Sequence, residues 1–193
     1  MAARRSVVKV RGNGALELQP LPAEPAGGRQ GQIYADSTAT ALKWHTGASW
    51  ARLNNFAKSV AYTNFDNYIA ANAWTKVQFN AADSNDQGAF DAAKNRFVAL
   101  EAGLHGFDVA PTYKRNGSSA PTALEVQLYR NGAAAGRGRA AATSALVDGV
   151  SAVNLTTVLK LAAKDSVEVF VRFTGADGYV AAADSFFGAR QLP

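Results

Sequence analysis

The stretch that decides the fold runs Ser151-Ala-Val-Asn-Leu155-Thr-Thr-Val-Leu-Lys160-Leu-Ala-Ala-Lys-Asp165-Ser-Val-Glu-Val-Phe170-Val-Arg-Phe173. Leu155, Thr157, Leu159 and Leu161 fall on one face of an extended chain, and Asn154, Thr156, Val158 and Lys160 on the other. After Ala163-Lys164-Asp165-Ser166 the alternation resumes, with Val167, Val169, Val171 and Phe173 inward and Glu168 and Arg172 outward. Period-2 alternation in two runs joined by a short polar turn predicts a long β-hairpin with one buried face. Two strands cannot bury that face alone, so more sheet must cover it.

The same signal extends outward in both directions. Val60 to Thr63 reads as a first strand, and Val77 and Phe79 alternate with Lys76, Gln78 and Asn80. Phe90, Arg96 to Leu100, and the run through His105, Phe107, Val109 and Tyr113 follow. Leu124, Val126 and Leu128 alternate with Glu125, Gln127 and Tyr129 up to Asn131-Gly132. Ala140 to Val147 is a weaker strand, and Ala183 to Leu192 the last, after a turn at Asp177-Gly178. Many short strands separated by turn signals predict an all-β, antiparallel two-sheet sandwich or jelly roll. Its expected core is Val77, Phe79, Phe90, Phe97, Phe107, Val167, Val169, Phe186 and Gly188. The opposite strand faces also carry apolar residues, Val98, Leu100, Leu104, Val158, Phe170 and Phe187, which a free monomer would leave exposed.

Composition agrees. The 193 residues are 48% hydrophobic and 18% charged, as in a globular protein. Cysteine is absent, which excludes a disulfide framework and a thiolate metal site. No apolar run approaches a signal peptide or a membrane span, so assembly in a cytoplasm is expected. Asn116-Gly-Ser and Asn154-Leu-Thr then match glycosylation acceptors only by chance.

The net charge of +5 is unevenly placed. Residues 1–58 hold eight Lys/Arg against three acids, and residues 59–193 hold twelve of each. Residues 1–30, with Arg4, Arg5, Lys9 and Arg11, read as an extended basic arm. Ser6 to Val10 suits a short strand, Asn13-Gly14 a turn, and the Pro- and Gly-rich run from Gln19 to Gly28 an extended connector. The arm suits docking on an acidic protein surface. Nucleic acid is a competing use of the same charge but is not expected, because no interleaved aromatics are present to stack on bases. Residues 31–58 then form a small β-module and linker, with strands at Gln32–Ala35, Ala41–Trp44 and Trp50–Leu53.

Two resemblances rest on particular residues. Gly31-x-Ile-Tyr-x-Asp36, Leu42-Lys and Gly47-x-x-Trp50-x-x-Leu53 resemble a small β-module of bacteriophage fibre and other virion proteins; a generic β-meander with aromatic plugs is the alternative. Over residues 59–193 the matching pieces are Trp74-x-x-Val77-x-Phe79-Asn80, Gly88-x-Phe90-Asp91, Phe97, Ala102-Gly103-x-x-x-Phe107 and Leu128-x-x-Asn131-Gly132. Leu161-x-x-x-Asp165-x-Val167-x-Val169 and Ser185-Phe186-x-Gly188-x-x-Leu192 complete them. In this order and spacing they resemble the globular head of complement component 1q and its tumour-necrosis-factor-like relatives. That resemblance implies a jelly-roll head working as a homotrimer. His105 stands where that family usually has tyrosine, and Lys164 where it usually has glycine.

Candidate chemistry is sparse. Asp83-Ser-Asn85-Asp86-Gln87-Gly88 starts like a calcium loop, but its closing position is Lys94; a polar turn or an adventitious cation site are the readings. Gly132-Ala-Ala-Ala-Gly136-Arg-Gly138-Arg139 lacks a phosphate-loop Lys-Ser/Thr. It reads as a flexible loop, or as an exposed one offering Arg137 and Arg139 to an anionic partner such as a host-surface glycan. His105 suits a hydrogen-bonded core or interface position more than a ligand role. No nucleophile elbow or acid–base pair stands out, so no enzyme, cofactor or metal is expected. The resulting expectation is a bacteriophage virion protein, a trimeric tail fibre or spike whose head attaches to the host surface. The alternative is a capsid decoration or head-fibre protein tied to the shell by its arm.

Overall fold

The protein, here a computed structural model that describes residues 8–12, 16–53, 56–182 and 184–193, separates into two units, Met1–Phe56 and Ala57–Leu192. Every described element is a strand.

In the smaller unit, β1 (Val8–Val10) and β2 (Leu16–Leu18) pair antiparallel, with Val8 opposite Leu18. Arg11 bridges to Glu17 across this hairpin. The arm is therefore not a single extended strand here. β3 (Ile33–Asp36), β4 (Ala41–His45) and β5 (Trp50–Arg52) form an antiparallel meander. Asp36 makes the first turn by accepting the amides of Thr38 and Ala39 at 2.9 Å each. The Pro-rich connector is not free. Leu21 donates its amide to Ala35 O and accepts that of Ser37, while Trp50 Nε1 donates to Pro25 O. Gly28 lies so close to the meander that an added Cβ would sit 2.4 Å from the His45 ring and 2.9 Å from Trp50. Lys43 is buried and meets Glu24 at 3.0 Å and Asp36 at 3.2 Å, so its charge is compensated from both the connector and the first turn. Burial pushes the neighbouring Tyr34 phenol up to about 12.

The larger unit holds β6 (Lys58–Tyr62), β7 (Asn67–Ile69), β8 (Thr75–Lys76), β9 (Ala81–Asp86), β10 (Phe90–Asp91), β11 (Arg96–Val98) and β12 (Gly103–Ala110). These are followed by β13 (Tyr113–Arg115), β14 (Ala123–Arg130), β15 (Ala133–Ala142), β16 (Leu155–Leu161), β17 (Ser166–Thr174), β18 (Gly178–Val180) and β19 (Phe186–Gln191). The first sheet has the order β16-β12-β19-β6-β9. The second has the order β10-β11-β17-β14-β15, with β8 also on β17. A three-stranded sheet, β13-β18-β7, completes the unit. All ladders are antiparallel, and the arrangement is a jelly-roll sandwich.

The sandwich corrects the expected hairpin. β16 pairs with β12 and β17 with β14, so the two runs lie in opposite sheets. Their inward faces are those expected: Leu155, Leu161, Val167, Val169, Val171 and Phe173 are all buried. Alternation reports a buried face, not the strand that pairs alongside it. The turn between them holds Lys164 at φ 72°, a left-handed conformation that glycine adopts freely and in which lysine is strained. Asp165 offsets this by accepting the Ala162 amide and the Asn131 side chain, so the turn is tied to the β14–β15 hairpin.

An aromatic cluster fills the space between the sheets. Phe187 lies 5.8 Å from Phe79, 6.2 Å from Phe90 and 6.1 Å from Phe107, and Phe107 lies 5.7 Å from Phe97. Val77, Phe79, Phe90, Phe97, Phe107, Val167 and Val169 are buried, as is Gly188. Phe186 is not core, being 40% exposed; Phe187, read as outward from sequence, is 1% exposed. The register of β19 decides this, because Phe187 faces Ala61 and Val109, both buried.

The outer face of the second sheet is closed by charge. The Glu125 side chain, 8% exposed, takes ion pairs from Arg139 of β15 and Arg172 of β17. Both guanidinium carbons lie over the Trp74 ring, at 5.7 and 5.1 Å. Burial pushes the Glu125 carboxyl up, but the two guanidiniums outweigh it and hold the group below its ordinary value. Lys76 pairs with Glu168, and Tyr129 stacks on Phe170 at 4.0 Å.

Two outcomes follow. Phe187→Ala should cost about 3–5 kcal/mol in urea denaturation, whereas Phe186→Ala should cost about 1 kcal/mol or less in dissociated chains. A depressed carboxyl contributes stability above its unfolded value, and that stability disappears as pH falls through the folded value. Glu125→Gln should therefore lower the urea midpoint near pH 6 and flatten the decline between about pH 5 and pH 3. An unchanged slope would show that Glu125 carries no such linkage.

Candidate functional site

Exposed apolar residues gather on the outer face of the first sheet. Register puts Tyr62, Phe186 and Ala110 in one row and Val60, Gly188, Asp108 and Thr156 in the next. Lys58, Arg190, Gly106 and Val158 follow, and then Leu104 opposite Lys160. Val60, Leu104, Val158 and Phe186 are each 40–49% exposed on this face. Large apolar side chains concentrated on one face are the signature of an association surface rather than of random exposure. Its centre is not purely apolar: Asp108 takes an ion pair from Arg190 and a 2.9 Å hydrogen bond from Thr156 Oγ1. Gly106 and Gly188 add no bulk beside them, leaving a shallow hollow of about 210 Å³ between Val60, Phe186 and Arg190. Burial raises the Asp108 carboxyl, but Arg190 and Thr156 outweigh it and keep it below the usual range.

Of the other apolar second-face residues expected from sequence, Leu100 is exposed and Val98 half-buried. Phe170 lies on the second sheet, stacked on Tyr129, so it does not belong to this surface.

The glycine-rich run is not the expected loop but a hairpin turn followed by a strand, although Arg137 and Arg139 are both exposed on it. Asn131 (φ 52°) and Gly132 (φ 80°) form a tight hairpin turn, and β15 begins directly after it. β15 then bulges. Gln127 faces Arg139 and Tyr129 faces Ala134, so the single residue Leu128 spans Ala135 to Gly138. Gln127 Nε2 holds the bulge by donating to Ala135 O at 2.8 Å. Gly138 is required there, because an added Cβ would lie 2.8 Å from the Leu128 Cβ. The bulge divides the two arginines: Arg139 is committed to Glu125 and Trp74, and Arg137 is exposed on the bulge itself.

The remaining candidates have ordinary settings. Asp83 to Asp86 form the end of strand β9, and Lys58 pairs with Asp86. Asn85 holds Phe90 by both amide and carbonyl. No group of three metal-ligating residues occurs among the described residues. His105 is fully buried, edge-on to Phe97 at 5.7 Å, with Nδ1 3.3 Å from Gly103 O. Burial pushes its pKa down, so the ring is neutral and serves packing. Arg4 and Arg5 lie outside the described residues, as does the side chain of Lys9. Arg11 is engaged by Glu17. No helix among the described residues is long and apolar enough to cross a membrane.

No family model matches the chain. A curated relative, the Bacillus subtilis (strain 168) protein YqcC, itself described as uncharacterized, is 29% identical over 111 residues. The match takes in 55% of this chain but only 30% of that relative's length. Among solved structures, the globular domain of zebrafish complement 1qA is 14% identical at a TM-score of 0.51, covering 71% of this chain and 98% of that one. The Eiger TNF of S. frugiperda gives 14% and 0.54, covering 72% and 94%, and murine APRIL gives 13% and 0.53, covering 71% and 99%. The larger unit has the jelly-roll fold of these complement-1q and TNF-like domains.

Proposed function

We propose that this chain is a structural protein of a bacteriophage virion: a trimeric fibre or spike-type adhesin. The smaller unit anchors it, and the jelly-roll head meets the host surface. The observation that carries the oligomeric part is the outer face of the first sheet, where Val60, Leu104, Val158 and Phe186 stand exposed around a hollow. A second copy would remove this apolar area from water, and a closed ring of copies would satisfy every face. The virion part rests on the resemblance of Gly31 to Leu53 to a phage-fibre module and on the basic charge of the first residues. Trimerisation would multiply weak contacts of each head into avidity. The contents of the candidate site favour binding over catalysis: its carboxylates are committed, Asp108 to Arg190 and Thr156 and Asp86 to Lys58.

Light scattering of the full chain at micromolar concentration should give the mass of three copies. Leu104→Glu with Phe186→Glu should reduce it to one copy while leaving the far-ultraviolet circular dichroism unchanged. A wild-type monomer would overturn the trimer. Deletion of residues 2–19, which stops short of the docked connector at Leu21, should leave the trimer intact and abolish incorporation into particles. Normal incorporation would move the anchor to the β3–β5 meander. Imaging of labelled particles separates tail from shell, and label distributed over the capsid would favour the decoration protein.

A further inference from the structure

The β3–β5 meander buries its polar face and exposes its apolar one. Register puts Tyr34, Lys43 and Arg52 in one row, with His45 and Trp50 beside them on the same face. That face is the covered one: Glu24, Pro25 and Gly28 of the connector lie against it. The other face carries Ile33, Trp44 and Ala51 in one row and Ala35, Leu42 and Leu53 in the next. No charged side chain stands on it among the described residues. Ile33, Trp44 and Leu53 are nonetheless 52%, 37% and 45% exposed. A unit folding for itself alone would turn these residues towards its connector and leave the charges in water. The reverse arrangement points to a cover from outside the chain.

Size selects the occupant. Three strands about 4.8 Å apart, carrying two side-chain rows about 7 Å apart, make a face well below the roughly 800 Å² per partner of a stable complex. Such a face holds a separate protein poorly, because that protein loses its translational and rotational freedom on binding. The meander of an associated copy has already lost most of it. Only residues 53–57 separate β5 from β6, the strand that bears Val60 of the self-association face, so associated heads hold their meanders at high effective concentration.

Symmetry and shape agree. A closed ring sets like against like, and a face without charge meets its own copies without repulsion. Trp44 and Leu42 project from the central strand, while Ala51 and Ala35 stand at diagonal corners and leave room for a neighbour's larger side chains. Beside Ala35 a hollow of about 420 Å³ opens, lined also by Pro20, Ser37, Thr40 and Leu42, with room for a neighbour's indole ring.

We propose that the meander is a second self-association module, in which three copies turn their Ile33, Trp44 and Leu53 faces to one axis and bury them against one another. The proposal rests on the trimer reading of the head and adds to it a contact made by the smaller unit. It also gathers three basic arms, which multiplies the contacts of the anchor.

The chain has no cysteine, so one introduced thiol is unique. Full-length Ala51→Cys at micromolar concentration, treated with a short bismaleimide, should give covalent dimers as its main product. Ala26→Cys, an exposed site on the connector, should stay mostly uncoupled. Trp44→Glu should keep its far-ultraviolet circular dichroism and raise at least about tenfold the concentration at which light scattering shows dissociation. Val150→Glu, at an exposed apolar site of the head, should dissociate like wild type. Equal coupling at positions 26 and 51, or equal dissociation of the two glutamate variants, overturns the module while a wild-type mass of three copies keeps the trimer. A wild-type mass of one copy overturns the trimer reading and the module with it. Coupling at position 51 that persists at a mass of three copies when Leu104→Glu and Phe186→Glu are added would support the module and remove the head as the main contact. A virion protein coupled to position 51 in place of a second copy would overturn the assignment. So would neutral phosphatidylcholine vesicles bound by wild type and released by Trp44→Glu.

Discussion

The sandwich depends on Phe187. Its ring touches Phe79, Phe90 and Phe107, so one side chain of β19 links residues from widely separated parts of the chain. Close-packed aromatic contacts of this kind stabilise beyond the area they bury, and they are intolerant of displacement. β19 lies at the centre of the first sheet, between β12 and β6, and its register is fixed by which of two adjacent phenylalanines points inward. A one-residue slip would exchange Phe186 and Phe187 and turn every side chain of the strand over. The contact inside the core therefore also decides what stands outside it.

Much of this was legible in the sequence, and the failures have physical reasons. Period-2 alternation identified the inward residues of β12, β14, β16 and β17, because burial is written into each strand separately. Pairing is not written there: β16 and β17 look like a hairpin, yet lie in opposite sheets. The short link between them is compatible with either geometry, and only the competition among all strands for partners selects one. In β19 the adjacent Phe186 and Phe187 break the alternation, so neither could be assigned inward without the partner strands.

The run from Ala133 to Arg139 was missed as strand for a different reason. Alanine and glycine have poor strand propensity and no alternating pattern, so composition argues for a loop. Asn131-Gly132 was the available signal, since that pair favours a two-residue hairpin turn and so demands a strand on each side. The glycines in the strand mark a bulge and a close approach to Leu128, which became visible only once β14 lay alongside. In the smaller unit the three strands were legible from turn chemistry. The docking of Leu21 to Gly28 was not, because proline and glycine specify the absence of helix and sheet without specifying a destination.

The two outer faces of the sandwich differ in a way that bears on assembly. On the second sheet, Glu125, Arg139, Arg172 and Trp74 satisfy one another, as do Lys76 with Glu168 and Tyr129 with Phe170. Displacing such a face into an interface would require those groups to lose partners or desolvate, for little apolar gain. On the first sheet, the ion pair of Asp108 with Arg190 sits beside glycines and is surrounded by Val60, Leu104, Val158 and Phe186. Covering that face removes apolar area from water and leaves the pair intact. The energetics therefore favour a second copy on the first sheet, and leave the second sheet as a finished surface.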